Sequence, residues 1–303
     1  MPIRFDDRVA IVTGAGAGIG REHALLLASR GARVVVNDPG GSVDGSGGGR
    51  AVADQVVTEI KEAGGEAIAS YASVTDEAAA QSIVDAAVNA WGRLDILVNN
   101  AGILRDKAFA NMSMDDFREC SDVHYMGTVY CTKAAWPVMR SRKYGRIVVT
   151  TSGSGTSGNF GQANYGAAKM AVVGLINVLR IEGGKYNVLI NAISPSARTR
   201  MTEDLLPPHL REFMKPELIS PAVAWLCSEN CSITGEIITA SGGGFARLQY
   251  YRSAGVQFDP LEPVTVEMVD EAMPKILDMT DAAPQTRNRE RMEASLRAMG
   301  RIK

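Results

Sequence analysis

Few residues of the kinds that build metal sites and disulfide frameworks occur in this sequence. It contains 4 cysteines and 3 histidines among 303 residues. Cys227 and Cys231 are close enough to form half of a metal site, but no histidine clusters with them, and a closed site needs about four ligands. The cysteines are also too few and too irregularly spaced for a disulfide scaffold. We therefore expect no metal and four reduced, partly buried thiols.

The chain also lacks a marked excess of charge of either sign and any long hydrophobic run. Its 32 Lys and Arg residues nearly balance 34 Asp and Glu residues, for a formal net charge of −2, whereas nucleic-acid binders carry concentrated basic surfaces. No stretch of about 18 apolar residues is present, so we expect no membrane span. The N-terminal MPIRFDDR does not resemble a signal peptide. These features favour a cytoplasmic protein without a nucleic-acid partner.

What the sequence does contain is a regular alternation of short apolar runs and amphipathic segments. Continuous apolar strands separated by helices indicate a parallel sheet that is covered on both faces. We predict an α/β fold, a doubly wound parallel sheet of the Rossmann-like kind, over residues 1–245. Residues 246–303 are polar and helical in pattern, without a strand signal, and predict a C-terminal extension that packs on the core or on a partner subunit. The predicted strands are 9–12, 33–36, 67–71, 94–98, 146–151, 188–193 and 237–240, and the predicted helices are 22–29, 50–63, 76–91, 115–140 and 162–185.

A glycine-rich turn follows the first predicted strand. The sequence TGAGAGIG occupies positions 13–20 and matches the pattern T-G-x-x-x-G-x-G. Glycine lets the backbone turn tightly and approach a pyrophosphate, and the following helix presents free N–H groups and the positive end of its dipole. In an alternating α/β chain, this turn predicts a dinucleotide-binding site. The predicted contacts are Gly14, Gly16, Gly18, Ile19 and Gly20.

Asp38 ends the second predicted strand, 24 residues after Gly14. A carboxylate there accepts hydrogen bonds from the hydroxyls of an adenosine ribose and repels a 2′-phosphate, so the sequence favours NAD over NADP. The alternative is that Asp38 merely opens the following loop. That loop, residues 39–49, is mostly glycine and serine, which is typical of a mobile segment. Its functional alternative is a flap over the adenosine end of the cofactor.

The candidate catalytic group is a tyrosine with a lysine one helical turn later. Tyr165 and Lys169 lie in the motif NYGAAK, so a helix would place both side chains on one face. Ser152 ends the fifth predicted strand, at the edge where open α/β sheets bind ligands. A neighbouring ammonium and an oxidised nicotinamide both favour the phenolate. Tyr165 would then take the proton of an alcohol as a hydride leaves, while Ser152 holds the substrate oxygen.

Together, TGAGAGIG, the NNAG motif at 99–102, Ser152 and the Tyr165–Lys169 pair resemble the short-chain dehydrogenase/reductase family over roughly residues 5–245. The resemblance implies an NAD-dependent oxidoreductase in which Lys169 also binds the nicotinamide ribose. It implies further cofactor contacts near the nicotinamide and the adenine, from Asn100, Ala101, Gly102, Pro195, Thr199, Ser73 and Val74.

His124 stands where the family usually has a catalytic asparagine. The resemblance implies that the main-chain carbonyl at this position holds a relay water for the lysine, a service that a histidine backbone can also supply. The alternative for His124 is a helix histidine whose partners are purely structural.

A narrower resemblance comes from NDPGG, VHYMGTVYCTKAAWPVM and GNFGQANYGAAK. These segments are similar to the (3R)-hydroxyacyl-CoA dehydrogenase unit of peroxisomal multifunctional β-oxidation enzymes, which also acts as a 17β-hydroxysteroid dehydrogenase, and to stand-alone bacterial relatives. This implies oxidation of a (3R)-3-hydroxyacyl-CoA to the 3-ketoacyl-CoA, with a 17β-hydroxysteroid as the alternative substrate. A dinucleotide-sensing scaffold without turnover is a third alternative, against which the presence of Ser152, Tyr165 and Lys169 argues.

Two further expectations concern the substrate entrance and assembly. A CoA substrate carries phosphates, for which Lys215, Arg247 and Arg252 are candidate contacts. An apolar lid over the site would suit either substrate; the alternative is that the residues of this lid belong to the core of a helix packing. The family usually assembles as homodimers or homotetramers, here through the helices at 115–140 and 162–185. The predicted lid comprises Met201, Leu205, Leu206, Phe213 and Met214.

Overall fold

The apolar runs of the first part of the chain form one sheet of eight strands. In the computed structural model, which describes residues 2–200, 202, 207–284 and 288–302, the chain divides into two compact units, Met1–Arg247 and Leu248–Lys303. The sheet has the order β3-β2-β1-β4-β5-β6-β7-β8, and the pairs from β3 through β7 are parallel. The strands are β1 (Val9–Thr13), β2 (Arg33–Asn37), β3 (Glu66–Ser70), β4 (Ile96–Asn99), β5 (Gly145–Thr150), β6 (Val188–Ser196), β7 (Ile237–Ser241) and β8 (Gly244–Leu248).

Helices cover the sheet. α1 packs with α2 and α8, α3 packs with α5, and α4 packs with α7. This arrangement confirms the predicted doubly wound parallel sheet. The helices are α1 (Gly18–Ser29), α2 (Ala51–Glu62), α3 (Glu77–Trp91), α4 (Met114–Ser121), α5 (Gly127–Arg142), α6 (Gly153–Thr156), α7 (Ala163–Gly183) and α8 (Ser220–Cys227).

The strand order determines where a ligand can bind. β1 lies between β2 and β4, so successive strands are added on opposite sides of it. The connections that leave β1 and β4 therefore diverge, and a crevice opens at the carboxyl ends of these strands. The strands themselves are apolar along their length, and Val9, Ala10, Ile11 and Val12 are fully buried, as expected for a sheet covered on both faces.

The predicted helix over 115–140 is confirmed, since the backbone is helical without a break over 114–142, and a π-helical turn, Asp122–Met126, joins α4 to α5 within it. The prediction that no strand follows about Phe245 was wrong. β8 follows β7 after Gly242 and Gly243, both at positive φ, and such a two-residue connection joins antiparallel neighbours. Because β8 is an exposed edge strand, its sequence lacks an apolar run.

The second unit contains β9 (Tyr251–Arg252), α9 (Val266–Leu277), β10 (Ala283–Pro284) and α10 (Asn288–Ala298). β9 and β10 pair antiparallel, and each is too short to give a periodic signal in the sequence. The Thr265 hydroxyl caps α9 by accepting a hydrogen bond from the Met268 N–H at 3.3 Å. The packing partner of this unit stays a prediction.

The four cysteines are buried free thiols. Burial raises the pKa of Cys120 and Cys131 to about 12, and it also raises the pKa of Cys227 and Cys231. In the part of the chain that the structure describes, no group of three or more His, Cys, Asp or Glu side chains is arranged to hold a metal ion. In the same part, no helix is both long enough and apolar enough to cross a membrane.

A buried carboxylate joins the starts of β1 and β4. Asp95 is fully buried and accepts a hydrogen bond from the Val9 N–H at 2.9 Å. Its oxygens also accept hydrogen bonds from Arg93 at 2.8 Å and from Arg8 at 3.2 Å. Removal of this carboxylate takes an acceptor from the Val9 N–H and from Arg93. Arg8 keeps Glu229 as a partner, so we expect a loss at the lower end of the about 3–5 kcal/mol that breaking a buried ion pair typically costs.

We therefore expect Asp95→Ala to lower the free energy of unfolding by about 3 kcal/mol, measured by urea denaturation. The matched control is Asp115→Ala, which removes the exposed ion pair with Arg118 and should cost less than about 1 kcal/mol. Equal losses in the two variants would contradict the structural role of Asp95.

Candidate active site

A cavity of about 970 Å³ opens at the carboxyl ends of the central strands. This is at the upper end of the usual range for ligand sites, about 300–1,000 Å³. Most of the residues predicted from the sequence contribute to its wall. Those that line it are Gly14, Gly18, Ile19, Asp38, Ser73, Val74, Asn100, Ala101, Gly102, His124, Ser152, Tyr165, Lys169, Pro195 and Thr199.

The glycine turn between β1 and α1 forms one wall. Gly14 and Gly18 have φ values of +62° and +55°, which side-chain-bearing residues rarely adopt. The N-cap residue of α1, Ala17, makes no side-chain capping bond, and the first N–H groups of a helix have no acceptor within the helix. These donors border the cavity and fit the pyrophosphate of a dinucleotide.

Gly16 and Gly20 do not line the cavity. A Cβ atom at Gly20 would lie 2.2 Å from the Gly14 carbonyl oxygen, and one at Gly16 would lie 2.8 Å from Asp38 Oδ2. Both glycines therefore allow the turn to close on its neighbours, and their contact with a cofactor stays a prediction.

The turn is tied to the segment after β4 by side chains. Asn100 Nδ2 donates to the carbonyl oxygens of Thr13 and Gly14, each at 3.1 Å. The Thr13 hydroxyl accepts from the N–H groups of Asn100 and Ala101 at 3.0 and 3.1 Å. Asn100 was predicted as a cofactor contact, and these bonds also give it a structural role. Thr13 was missed, although it begins the TGAGAGIG motif.

Asp38 follows β2 and borders the cavity at the end away from β5. Its Oδ2 accepts from the Gly16 N–H at 2.9 Å, and its Oδ1 accepts from the Gly40 N–H at 2.7 Å. The carboxylate is thus held in place and still borders the cavity. Ser73 and Val74, after β3, border the same end.

Ser152, Tyr165 and Lys169 meet at the opposite end. Ser152 follows β5 and caps α6, and the other two residues lie one turn apart on α7. Lys169 Nζ donates to the Thr150 carbonyl oxygen at 2.7 Å and lies 5.6 Å from the centre of the Tyr165 ring. The predicted alignment of tyrosine and lysine on one helix face therefore occurs, and both border the cavity.

Burial governs the protonation of this pair. It lowers the pKa of Lys169 to about 7. It also raises the pKa of Tyr165 above its ordinary value, although a hydrogen bond with Ser152 acts in the opposite direction. The expected acidification of the phenol is therefore not produced by the residues of this chain alone, because desolvation outweighs the other contributions and also disfavours the lysine ammonium.

His124 lies in the π-helical turn and is buried. Its Nε2 lies 2.7 Å from the carbonyl oxygen and 3.1 Å from the nitrogen of Ile103, so the ring tautomer decides which contact is a hydrogen bond. The ring meets the Tyr165 ring edge to face, with centres 4.9 Å apart. Burial, with a smaller effect of Lys169, lowers the pKa of His124 well below its usual value, so the imidazole is neutral.

The backbone around His124 is also constrained. Its carbonyl oxygen accepts from the Thr128 hydroxyl at 2.7 Å. A Cβ at Gly102 would lie 2.4 Å from His124 Cε1. These contacts favour a positioning role for the histidine side chain, and its catalytic role stays a prediction.

A polar cluster beside Tyr165 was missed by the sequence analysis. Gln162 is buried and donates from Nε2 to Asp106 Oδ2 at 2.6 Å. Its Oε1 accepts from Ser154 Oγ at 2.6 Å and from Asn159 Nδ2 at 3.0 Å. Gln162, Ser154 and Asn159 border the cavity. The motif GNFGQANYGAAK contains Gln162 and Asn159, but helical spacing does not indicate which of its polar residues face a ligand.

The loop after β6 closes part of the cavity. Thr199 receives support from Thr202, whose hydroxyl accepts from the Thr199 N–H at 2.9 Å. Arg200 also borders the cavity and was missed. Of the expected lid, Met201, Leu205 and Leu206 lie outside the described residues, and Phe213 and Met214 do not line the cavity.

Three basic residues were proposed as contacts for CoA phosphates. Lys215 and Arg247 are not part of the cavity wall, and Arg247 pairs with Glu236 at 2.6 Å. Arg252 belongs to the second unit. Their contact with a CoA phosphate stays a prediction.

Comparison with known proteins identifies related chains. Peroxisomal multifunctional enzyme type 2 of Drosophila melanogaster is 50% identical over 282 residues, which cover 92% of this chain and 47% of that enzyme. The full-length structure of that enzyme matches with a TM-score of 0.83 and 42% identity, over 99% of this chain and 51% of the other. The chain therefore spans about half the length of this relative.

Two other matches extend over nearly the whole of the related protein. A short-chain type dehydrogenase/reductase of Mycobacterium tuberculosis is 48% identical over 276 residues, 91% of this chain and 96% of that protein. The structure of a 7α-hydroxysteroid dehydrogenase in complex with NADH and 7-oxo glycochenodeoxycholic acid matches with a TM-score of 0.72 and 33% identity, over 80% of this chain and 95% of the other.

The sequence profile of the short chain dehydrogenase family matches residues 8–208. With the parallel sheet, the glycine turn and these relatives, the match establishes that the chain belongs to the short-chain dehydrogenase family, whose members are oxidoreductases that bind a nicotinamide dinucleotide.

Proposed function

We propose that the protein is an NAD-dependent dehydrogenase that converts a (3R)-3-hydroxyacyl-CoA to the 3-ketoacyl-CoA, in fatty-acid or steroid side-chain β-oxidation. The observation that carries the proposal is the convergence of Ser152, Tyr165 and Lys169 on the cavity that the glycine turn borders. A dinucleotide seated on that turn would extend toward these three side chains.

The residues of this chain supply the proton chemistry. Ser152 Oγ holds the substrate hydroxyl, and Tyr165 Oη accepts its proton as the C–H hydride leaves, so that the alcohol becomes a ketone. In the opposite direction, Tyr165 returns the proton to the developing alkoxide. When bound, the oxidised nicotinamide supplies the hydride acceptor and a positive charge near the phenol.

Lys169 joins α7 to the end of β5 and so helps to position Tyr165 for this transfer. Its ammonium donates to the Thr150 carbonyl oxygen and, in the proposed complex, also to the hydroxyls of the nicotinamide ribose. A ligand hydroxyl that accepts from this buried lysine favours its charged form and raises its pKa from about 7. The charged lysine in turn favours the phenolate of Tyr165.

Asp38 supports NAD as the cofactor. Its carboxylate is fixed by two main-chain N–H groups at the end of the cavity assigned to the adenosine. Neutral ribose hydroxyls can donate to it, whereas a 2′-phosphate would meet a like charge. The other cofactor contacts proposed from the sequence, including those of Gly16 and Gly20, keep the status of predictions.

The substrate class is supported by the resemblance of GNFGQANYGAAK and by the multifunctional peroxisomal relative. The second candidate is a 17β-hydroxysteroid, and the related steroid dehydrogenase structure favours testing it. A sensing scaffold without turnover is the third. The cytoplasmic location and the lack of a nucleic-acid partner also remain predictions.

A comparison of substrates with the purified protein tests this choice. We expect NADH formation from a (3R)-3-hydroxyacyl-CoA, with kcat/KM at least about tenfold above that for a 17β-hydroxysteroid, a difference of about 1.4 kcal/mol. The (3S) enantiomer is the matched control and should be inactive. NADP in place of NAD should lower kcat/KM by at least about tenfold. Turnover of the steroid without turnover of the thioester would reject the first substrate class.

The role of Tyr165 is tested by Tyr165→Phe, which removes only the phenolic oxygen. Loss of the proton acceptor should lower kcat by about 10²–10⁴-fold, while the dissociation constant for NADH, measured by fluorescence titration, changes by less than about threefold. The control is Tyr186→Phe, whose hydroxyl contacts Arg140, outside the cavity, and it should keep the wild-type rate. Wild-type turnover by Tyr165→Phe would show that the base is another group.

We also propose that α5 and α7 form a homodimer or homotetramer interface. Val178 and Ile181 are each 53% exposed. A small cavity of about 330 Å³ lies beside them between α5 and α7, lined by Trp136, Leu175 and Leu179 among others. Contact with a second copy of this chain would bury these apolar side chains away from water.

Ile181→Glu should therefore weaken self-association at least about tenfold, because it would bury an unpaired charge. Sedimentation velocity over a concentration series measures this change. The matched control, Ser82→Glu on α3, adds the same charge elsewhere on the surface and should not alter the assembly. A monomeric wild-type protein at micromolar concentration would refute the interface.

A further inference from the structure

The glycine-rich loop after β2, residues 39–49, is a folded element. The Gly49 N–H donates to the Pro39 carbonyl oxygen at 2.9 Å, so the two ends of the loop lie side by side. At the tip, the Ser42 N–H donates to the Ser46 carbonyl oxygen at 2.8 Å, and Asp44 Oδ1 accepts from the Ser46 N–H at 2.9 Å. A compact loop with adjacent ends is an Ω-loop, a kind that is frequently functional.

The tip of this loop is bound to the segment that follows β4. The Leu104 N–H donates to the Val43 carbonyl oxygen at 3.0 Å, and Arg105 Nε donates to the Asp44 carbonyl oxygen at 3.0 Å. Gly45 packs on Ile103, since an added Cβ would lie 3.2 Å from Ile103 Cγ2. These contacts hold the loop at its far end as well as at its base.

The strand order shows what the loop crosses. It begins after β2 and is attached after β4, and β1 lies between these two strands. With neighbouring strands about 4.8 Å apart, the loop spans roughly 10 Å in front of the carboxyl end of β1. The glycine turn begins at that end. Loop residues, the glycine turn and Leu104 border the same cavity, so a ligand on the turn lies behind the loop.

The attachment point is itself rigid. The Arg105 guanidinium donates to Asp116 Oδ1 at 3.1 Å and pairs with Glu119 at 2.5 Å. The Arg105 carbonyl oxygen accepts from Asn164 Nδ2 at 3.0 Å, and Asn164 Oδ1 accepts from the Tyr165 N–H at 2.7 Å. The tip of the loop is therefore bound to a segment that is itself held in place by hydrogen bonds to α4 and to the start of α7.

We propose that residues 39–49 form a strap that retains the cofactor, latched at Leu104 and Arg105, and that the dinucleotide enters or leaves only when this latch opens. The inference rests on the proposed function for the location of the adenosine half beneath the loop. Glycine and serine make up most of the loop surface that borders the cavity, which lets the backbone lie close to a ligand; the bordering residues are Pro39, Gly41, Ser42, Val43, Gly45 and Gly47. Cofactor exchange is then limited by the opening of the strap.

A reversible covalent lock tests the strap directly. A main-chain hydrogen bond joins Val43 and Leu104, and this brings their Cα atoms within roughly the 4.4–6.8 Å over which a disulfide can form. In the double variant Val43→Cys/Leu104→Cys, oxidation should lower both the association rate and the dissociation rate of NADH at least tenfold. Stopped-flow NADH fluorescence measures these rates, and reduction should restore them. Because the native cysteines are buried, the new pair can be oxidised selectively.

The controls separate this proposal from the proposed function. Val43→Cys alone, treated with oxidant, should exchange NADH at the rate of its reduced form. If the reduced double variant and the wild-type protein do not bind NADH, the proposed function fails. If they bind NADH but oxidation leaves both rates unchanged, the cofactor site stands and the strap is refuted.

Deletion of residues 41–48, with Gly40 joined to Gly49, provides the opposite perturbation. The close approach of the loop ends makes this junction feasible. NADH dissociation should accelerate at least tenfold, and the Leu104 amide should exchange hydrogen faster in the cofactor-free protein. An unchanged dissociation rate in this variant would also overturn the proposal.

Discussion

The candidate site depends on the bonds that tie the turn after β1 to the turn after β4. One carboxamide, that of Asn100, spans the carbonyl oxygens of Thr13 and Gly14, and the Thr13 hydroxyl returns two contacts to the second turn. An unpaired buried polar group costs about 1–3 kcal/mol, so these partners favour one separation of the strand ends. The same geometry excludes a side chain at Gly20, whose Cβ would lie 2.4 Å from Asn100 Nδ2.

At the other end of the cavity, burial has a chemical consequence as well as a structural one. Lys169 is placed where it has a carbonyl partner but little water, and its pKa falls to about 7. Tyr165 is shielded by the edge of the His124 ring, and its pKa rises. In the cofactor-free protein, burial therefore disfavours both the lysine ammonium and the tyrosine phenolate.

Patterns of period and composition were sufficient for the sheet and for the convergence of Ser152, Tyr165 and Lys169 on the cavity. The central strands of the sheet are buried apolar runs, and the spacing of Tyr165 and Lys169 fits one helix face, so both could be predicted. β8 could not, since an exposed edge strand needs no apolar pattern. The π-helical turn at His124 was missed because the apolar spacing of the flanking helices is nearly continuous across it. The role of loop 39–49 depends on contacts with Leu104 and Arg105, which are distant in sequence, and composition alone suggested a mobile segment.

The burial of the four thiols has a consequence for how the protein withstands oxidants. A thiol reacts with peroxides and alkylating agents as its thiolate. Burial raises the pKa of Cys120 and Cys131 to about 12, so these thiols stay protonated at neutral pH. Burial also keeps reagents away from the sulfur atoms. The fold thus protects its cysteines from oxidation and alkylation for as long as it stays folded.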